Sequence, residues 1–532
     1  MGGVVNLLTA DIPDGWSRGW SGSVATQGAS VNRGAAASGD VTYGTDHWAA
    51  TSRLSLRETS DLRTPEARLP GTHLSSLDGQ VGLAREQGGL RVGGSFSFTD
   101  RTYGIPEAIE DEDEEVFVEM ERQAAQGFLN WRPQSPGAVK GLELRVSGTR
   151  FFQREIEQEF ELSEEGRSGQ IRRLIDEDIE LEFLQHSATS TATLRHGALG
   201  PVGEGAVGVH LWGRNLDVGG EEAFTPGARR GTAGVFTFQE VPLSESLRFQ
   251  VGARGEGQWT RTLSNDDFPE SDERRSSAAF SGSVGLHWTP RPGWEVGGQL
   301  ARAHRTPMVE ELYADGPHLG AGAFEVGDPA LPDEVGHGMD LFVRGGNDRL
   351  GFELAGFLNR INDFVAFQPT GEVDPASELP IFHYEATDAR MSGGEVTLYA
   401  RLPMGLQVEG GFDYVRGDRV GGITDGVPLP SVPPFRTRLE LRYEGDRFWV
   451  GTTVRGVAKQ GRVAPQEDPT SGYLLWDGDA GVRLDPDRGR HTLIVQVENA
   501  TNRLYRDHLS RVEERGFPMP GRNVAVSYRL RF

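Results

Sequence analysis

The chain has 532 residues, of which 36% are hydrophobic and none is cysteine, and it carries a formal net charge of −24. The lack of cysteine excludes a disulfide scaffold, a thiolate metal site and a cysteine nucleophile, and the negative charge argues against a nucleic-acid partner. No segment approaches the roughly 18 consecutive apolar residues of a membrane helix, which excludes a helical membrane protein.

Apolar and polar residues alternate strictly in short segments from one end of the chain to the other. The clearest apolar sets are Trp48, Leu54 and Leu56; Leu90, Val92, Phe96 and Phe98; Leu142, Leu144 and Val146; Leu493, Val495 and Val497; and Val524, Val526, Tyr528, Leu530 and Phe532. Successive side chains of a β-strand point to opposite faces. One face of each segment therefore suits lipid and the other suits a wet lumen.

Short turn sequences and long polar stretches alternate between these segments. The turn sequences lie at residues 43–46, 86–89, 133–137, 289–293, 345–348, 402–405, 444–446 and 485–489. The long stretches lie near residues 59–74, 102–116, 156–176, 214–231, 305–335, 364–379, 416–432 and 500–520. This rhythm predicts an all-β fold, a closed antiparallel transmembrane barrel of about 22 strands with short periplasmic turns and long extracellular loops. The alternative is a soluble propeller, which requires a repeat of about 40–50 residues that the sequence lacks.

Three groups of residues resemble the TonB-dependent outer-membrane receptors. They are residues 2–9 with Ile12 and Pro13; residues 305–307, 310–313, 316–318, 324–329, 331 and 334; and residues 498–502, 505, 506 and 520–523 with Phe532. The first group is similar to the last strand of the plug domain of that family, the second to its long mid-barrel loop, and the third to its C-terminal pattern. The resemblance implies a receptor in the bacterial outer membrane.

The resemblance divides the chain into a remnant of the plug at residues 1–13 and a barrel at residues 14–532. The N-terminus also lacks the features of a signal peptide, so we expect a truncated reading frame or a split protein rather than a natural plugless pore. The implied partners are the TonB–ExbB–ExbD complex, through the N-terminal region that precedes the barrel in this family, the barrel-assembly machinery, through Phe532, and the lipopolysaccharide of the outer membrane.

A closer likeness is to the zinc-uptake branch of the family. It is carried by residues 103–106, 359–364, 369–371, 379–380, 388–390, 393–395, 413–417, 429–430 and 433–434. Most of these are barrel and loop framework residues, and they indicate kinship rather than a particular ligand.

The candidate metal ligands are acidic residues of one loop and residues near the mid-barrel signature. They are Glu110, Asp111, Glu112, Asp113, Glu114, Glu115, His304, His318, Glu325 and His383. A second acidic run spans residues 155–178, and two facing acidic loops could concentrate divalent cations. The alternative is a solvated loop whose charges bind calcium among surface lipids. Zinc prefers imidazole and thiolate ligands, and the acidic loop at 107–115 contains no histidine.

The sequence thus favours a receptor that imports a metal ion or a metal chelate, zinc-like or siderophore-bound. The alternative is a passive pore or a non-functional truncated barrel, because a lumen of this width requires a plug. The sequence has no phosphate-binding loop, nucleophile elbow or zinc-protease motif. We therefore expect neither an enzyme nor a resident cofactor, and any bound metal or chelate would be the transported substrate.

Overall fold

Strand follows strand along nearly the whole chain. The computed structural model describes residues 11–106, 114–135, 137–163, 171–465, 467–485, 489–510 and 517–532. Its strands are β1 (Gly19–Ala29), β2 (Gly34–Gly44), β3 (Trp48–Thr59), β4 (Leu62–Arg63), β5 (Arg68–Leu69), β6 (Leu74–Gln87), β7 (Leu90–Ile105), β8 (Glu114–Trp131), β9 (Val139–Ser163), β10 (Ile171–His196), β11 (Gly205–Gly219), β12 (Gly227–Pro242), β13 (Leu247–Leu263), β14 (Arg274–Arg291), β15 (Trp294–Arg305), β16 (Asp315–His318), β17 (Ala323–Val326), β18 (Glu334–Gly346), β19 (Leu350–Val373), β20 (Pro380–Arg401), β21 (Leu406–Arg419), β22 (Arg436–Glu444), β23 (Phe448–Val457), β24 (Tyr473–Arg483), β25 (His491–Glu498) and β26 (Asn523–Arg531).

The sheet closes on itself where the first strand meets the last. Strand β1 pairs with β2 on one side and with β26 on the other, both antiparallel. The short strands β4 and β5 form a separate hairpin, and β16 and β17 belong to a loop. The remaining strands form a closed antiparallel barrel of 22, which confirms the predicted fold and strand number. Within the membrane-spanning part of the described barrel, closure pairs both edges of each strand, so the backbone groups of that part are hydrogen-bonded within the sheet.

Helix is scarce in the described residues. The structure has one short α-helix, α1 (Val309–Tyr313), and single 3-10 turns at Leu319–Ala321, Pro403–Gly405 and Gly422–Thr424. Within the described ranges, no helix has both the length and the apolar character that crossing a membrane requires.

The outer wall of the barrel is a continuous apolar surface. Large exposed apolar side chains recur at every second position, as in Leu54 and Leu56 of β3, Val207, Val209 and Leu211 of β11, and Val284, Leu286 and Trp288 of β14. Intervening residues face the lumen and are mostly polar or small. This is the alternation that the sequence predicted, and it fixes which side chains can reach a ligand inside the barrel.

Strand length differs greatly around the barrel. A membrane-crossing strand needs only about 9–11 residues, but β9 and β10 have 25 and 26 residues and β19 and β20 have 24 and 22. These strands project beyond the membrane at the end where the long connections lie. Much of the stretches 156–176 and 364–379, expected to be loops, is therefore strand. The expectation was wrong in the first stretch because its many carboxylates were interpreted as a loop, although Ile156, Phe160 and Leu162 alternate with them as in a strand.

Candidate functional site

The long connection between β15 and β18 folds into the extracellular mouth of the barrel. It contains α1 and the β16–β17 hairpin, and β17 pairs in parallel with the projecting part of β20, with Glu325 opposite Phe382 and Val326 opposite His383. Helix α1 buries Val309 and Leu312. The loop thus becomes a fixed part of the wall because its backbone is hydrogen-bonded to a barrel strand.

Apolar clusters hold this loop on both sides. Leu312 packs with Leu331 and with Val365 of β19. On the other side, Ala314 packs with Phe224 and with a wall cluster formed by Leu181, Leu216 and Val218. The mouth is therefore narrowed by packed protein, and the polar side chains around it are held in place.

An arginine links the base of the loop to the wall. Arg305 donates to Glu311 at 2.8 and 2.9 Å and to Glu334 at 2.7 Å through two nitrogens. Glu334 also accepts the backbone N–H of Val365 at 2.8 Å. Every partner of Arg305 thus belongs to the loop or to a neighbouring strand, so the side chain has a structural role at this site.

Two of the predicted site residues, His318 and Glu325, contact each other. His318 Nδ1 donates to Glu325 Oε1 at 2.8 Å, and the Tyr384 hydroxyl donates to Glu325 Oε2 at 2.7 Å. The His318 ring stacks on Phe224 at 4.4 Å. Burial and the Glu325 carboxylate raise the pKa of Tyr384, so its hydroxyl stays protonated and continues to donate. Glu325 is thus engaged on both oxygens.

The other predicted histidines lie apart from this pair. His304 Nε2 donates to Asp333 at 2.9 Å, and Arg275 pairs with the same carboxylate at 3.1 Å. The His304 side chain is only 5% exposed, which places it within the packed base of the loop. His383 is exposed on β20 opposite Val326. The structure does not bring these two histidines together with His318.

Most of the predicted acidic loop lies outside the described residues. This applies to Glu110, Asp111, Glu112 and Asp113, and to the side chain of Glu114. Glu115 is described at the start of β8, where its carboxylate lies 3.8 Å from Nδ1 of His73.

A group of carboxylates that includes residues beyond the predicted set lies at the same mouth. It comprises Glu155 and Glu157 of β9, Glu180 of β10 and Glu222 of the β11–β12 loop; below we call it the carboxylate cluster. Glu155 and Glu180 are 6% and 8% exposed. Glu155 and His318 both approach Gly320, since a Cβ there would be 3.5 Å from Glu155 Oε2 and 3.5 Å from His318 Nε2.

A β-bulge and a glycine bring the carboxylate cluster together. In the pairing of β10 with β9, Ile179 lies opposite Ile156 and Leu181 opposite Glu155, so Glu180 is an extra residue. The carbonyl oxygen of Glu180 accepts the N–H of Glu222 at 2.8 Å. Gly220, with φ +109°, permits this approach because a Cβ there would collide with that carbonyl oxygen.

Two carboxyl groups of the carboxylate cluster, those of Glu180 and Glu222, have strongly raised pKa values. Burial, with repulsion from Glu222 and Glu157, raises the pKa of Glu180 to about 7. Burial, with repulsion from Glu155 and Glu157, raises the pKa of Glu222 to about 7, while His318 opposes the shift. Carboxylates crowded in this way are stabilised by any cation that enters. In the described part of the chain, no three histidine, aspartate or glutamate side chains are placed to hold one metal ion.

The segment before the first strand lies against the inner wall of the barrel. Arg91 donates to the carbonyl oxygen of Pro13 at 2.5 Å and pairs with Asp14 at 3.2 Å. Gln126 donates to Asp11 at 3.0 Å. Gly82 leaves room for the Asp11 backbone, since a Cβ there would collide with it. Residues 11–14 therefore run through the lumen before the chain enters β1.

A family model and several solved structures match this chain. A family model described as "TonB dependent receptor-like, beta-barrel" matches residues 11–502. A solved structure of the copper transporter OprC is similar with a TM-score of 0.81 at 16% identity, over 98% of this chain and 81% of that one. The FrpB iron transporter from Neisseria meningitidis is similar with a TM-score of 0.74 at 13% identity, over 98% of this chain and 83% of that one. The ferric-catecholate import receptor Fiu from E. coli K12 has a TM-score of 0.70 at 12% identity, over 97% of this chain and 82% of that one.

Proposed function

Because the chain belongs to the TonB-dependent receptor family, we propose that it imports a metal ion or a metal chelate from outside the cell. The protein lies in the bacterial outer membrane, where this family resides. The family consists of receptors, which agrees with the expectation of a non-enzymatic protein. OprC and FrpB, whose folds are similar, are a copper transporter and an iron transporter.

The carboxylate cluster is the main support for this proposal. Its side chains face the lumen at the extracellular mouth, the place where an incoming substrate first meets the barrel. Several carboxylates in a half-buried site attract cations strongly, because their mutual repulsion is relieved by any positive charge that enters. His318 Nε2 faces the same space and adds an imidazole, a ligand that suits zinc, copper and iron. A metal ion could bind here if these side chains moved a small distance toward it. A cationic chelate could bind to the same carboxylates.

If a metal binds at the mouth, the predicted ligands do not all have the same role. We assign cation contact to His318 together with the carboxylate cluster, and we assign support of the loop to His304 and Glu325. For Glu110, Asp111, Glu112, Asp113, Glu114 and Glu115 we retain the role of concentrating cations at the cell surface, and for His383 that of an outer contact. Zinc, copper, manganese and ferric chelates all remain within this chemistry.

The N-terminal segment supports a receptor rather than the passive pore or the non-functional barrel. Residues 11–14 follow the inner wall, as expected for a chain that arrives from a domain held inside the barrel. We therefore retain the division into a plug end at residues 1–13 and a barrel at residues 14–532; residues 1–10 lie outside the described residues. On this proposal the TonB–ExbB–ExbD complex acts through residues that precede the barrel, and Phe532 is the signal for barrel assembly.

Calorimetric titration of the protein in detergent tests the substrate assignment. We expect a divalent metal, tried as zinc, copper and manganese, to bind with micromolar affinity or better. The double substitution Glu180→Gln and Glu222→Gln should weaken this binding by at least about tenfold, because it removes two carboxylates from the site. The matched control, Asp266→Asn with Asp267→Asn, changes the same charge on the exposed β13–β14 loop and should bind like the wild type.

The same titration distinguishes the two forms of the proposal. If only an intact ferric chelate binds, the free-ion form is wrong and the chelate form stands. If neither free metals nor chelates bind, or if the control loses as much affinity as the test variant, the role of the carboxylate cluster is wrong.

A further inference from the structure

The hairpin formed by β9 and β10 projects beyond the neighbouring strand β11. Strand β11 pairs with β10 only as far as Glu182. Two backbone hydrogen bonds from the β11–β12 loop continue along this side, to the carbonyl oxygens of Ile179 and Glu180. In the described part of the chain, no strand pairs with this side of residues 171–178. These residues, which we call the open edge, span about 26 Å at about 3.3 Å per residue.

The molecule covers the equivalent edge of its other long hairpin. Strand β20 extends beyond β21, whose pairing with it ends where Arg419 lies opposite Ala389. Strand β17 pairs in parallel with residues 381–383 of β20 on this side, because β19 occupies the other side. The backbone N–H and C=O groups of a strand edge are a template on which another strand can pair. Within the described ranges, the fold thus uses strand addition at one projecting hairpin and leaves the same position free at the other.

The side chains along the open edge are exposed, and most are apolar or acidic. Leu174 and Ile175 are 46% and 57% exposed. Asp176, Glu177 and Asp178 follow them and are exposed as well. A strand that pairs here would therefore meet an apolar part and an acidic part in succession.

The neighbouring strand adds to the negative charge of this part of the hairpin. Asp176 lies opposite Glu159, and Asp178 lies opposite Glu157. Like charges directly opposite one another on paired strands repel. Burial, together with repulsion from Glu159 and Asp178, raises the pKa of Glu157. The arginines at residues 172–173 precede this acidic part in the sequence, so a basic segment beside it would relieve the repulsion among the carboxylates.

A second copy of the protein in the same membrane does not fit the open edge. Both copies would hold their hairpins in the same direction, so a symmetric contact would bring the carboxylates at residues 176–178 against their counterparts. Ile175 is an extra residue in the pairing with β9, and such a β-bulge further limits regular pairing between two identical edges. Repulsion of acidic strands also gives specificity for a basic one.

We propose that the open edge binds an extended, basic segment of an extracellular polypeptide by strand addition. The backbone of the partner hydrogen-bonds to β10 within residues 171–178. Its basic side chains lie beside the carboxylates at residues 176–178, and its apolar side chains lie against Leu174 and Ile175. In this mode of recognition, backbone hydrogen bonds give affinity and alternate side chains give specificity. The proposal does not depend on which substrate the barrel transports.

Fluorescence anisotropy with the full, detergent-solubilised chain tests this proposal, in buffer that contains a metal chelator. The probe is a labelled synthetic peptide in which lysine alternates with valine. A second peptide has the same side chains, but every backbone nitrogen is methylated, so it keeps the charge and lacks the hydrogen-bond donors. The test variant carries Asp176→Asn, Glu177→Gln and Asp178→Asn.

The matched control removes equal charge from another extracellular connection. It carries Asp266→Asn, Asp267→Asn and Glu270→Gln, all exposed on the β13–β14 loop. Heat-dependent gel mobility shows that each barrel is folded. Amide hydrogen exchange, measured with and without the unmethylated peptide, locates the contact on the chain.

We expect the test variant to bind the unmethylated peptide roughly tenfold more weakly than the wild type does, because three exposed charge pairs are lost. The control should bind like the wild type, and the methylated peptide should not bind measurably. Peptide binding should slow amide exchange within residues 171–178.

Four results would overturn the proposal. They are a wild type that does not bind the peptide, equal binding by test variant and control, equal binding of the two peptides, and slowed exchange only outside residues 171–178. Dimerisation through the open edge without peptide would identify a second copy as the occupant, which also contradicts the proposal.

Discussion

Glu180 occupies a position where β10 has one residue more than its partner β9. The residues around it, Ile179-Glu180-Leu181-Glu182, read in the sequence as an ordinary alternating strand. The bulge that turns Glu180 toward Glu157 and Glu222 depends on the pairing with β9 and on the approach of the β11–β12 loop. Neither contact can be predicted from local sequence. By contrast, the sequence indicated both His318 and Glu325, and the two side chains form a hydrogen bond in the structure.

The raised pKa of Glu180 makes the stability of the protein depend on pH. The pKa of this carboxyl group is about 7 in the folded protein and 4.5 in the unfolded chain. Its contribution to the free energy of unfolding is therefore fully present below pH 4.5 and is lost as the pH rises through 7. Glu180→Gln is uncharged at every pH. We therefore expect it to unfold at a temperature roughly 1–2 °C higher than wild type at pH 8 and at nearly the same temperature at pH 4.5.

Differential scanning calorimetry in detergent at both pH values measures this difference. Asp267→Asn, on an exposed loop, is the control and should shift the transition at neither pH. A Glu180→Gln protein that is less stable than wild type at pH 8 would mean that the ionised carboxylate has a stabilising partner, contrary to its position among carboxylates.

At the scale of elements, the mid-barrel loop behaves as an additional strand of the wall. Strand β17 runs parallel to β20, whereas all other pairings between named strands in the described residues are antiparallel. The sequence indicated the loop and its signature, but not this pairing. A parallel addition arises only because β19 and β20 extend beyond the membrane and offer an edge there. The length of those strands was itself underestimated, since Pro369, Gly371 and Pro380 are residue types typical of turns and loops.

The parallel pairing predicts a disulfide between two introduced cysteines. Val326 and His383 lie opposite each other in register, and the natural chain has no cysteine that could compete. We expect the double variant Val326→Cys and His383→Cys to oxidise nearly completely in the cell envelope, because neighbouring strands place such residues within disulfide range. Gel mobility with and without reductant measures the yield.

A control variant keeps the cysteine at position 326 and has its second cysteine elsewhere on β20. Val326→Cys with Tyr399→Cys places the second cysteine 16 residues farther along β20, near the periplasmic end, and should remain reduced. If the first pair also stays reduced, or if both pairs oxidise equally, the loop is not fixed against β20.

At the scale of the whole molecule, the barrel could be predicted almost completely from sequence, whereas the binding site could not. Alternation and the spacing of turns are local properties, and a closed sheet is the arrangement that satisfies all strand edges in lipid. The mouth is built from β9 and β10, the β11–β12 loop and the β15–β18 loop, which are spread along the chain, so its geometry depends on how the barrel closes. The acidic composition predicts a negative charge at the mouth, but it does not identify the residues that carry this charge.

On the proposed function, the protein moves a metal or metal chelate inward by using energy from TonB. Uptake of radiolabelled zinc, copper and a ferric chelate by cells that express the protein can be measured in matched strains with and without TonB. We expect at least one of these substrates to accumulate only in the strain with TonB, and Glu180→Gln with Glu222→Gln to lower this accumulation. Equal accumulation with and without TonB would mean that the protein is a passive pore and not a TonB-driven transporter.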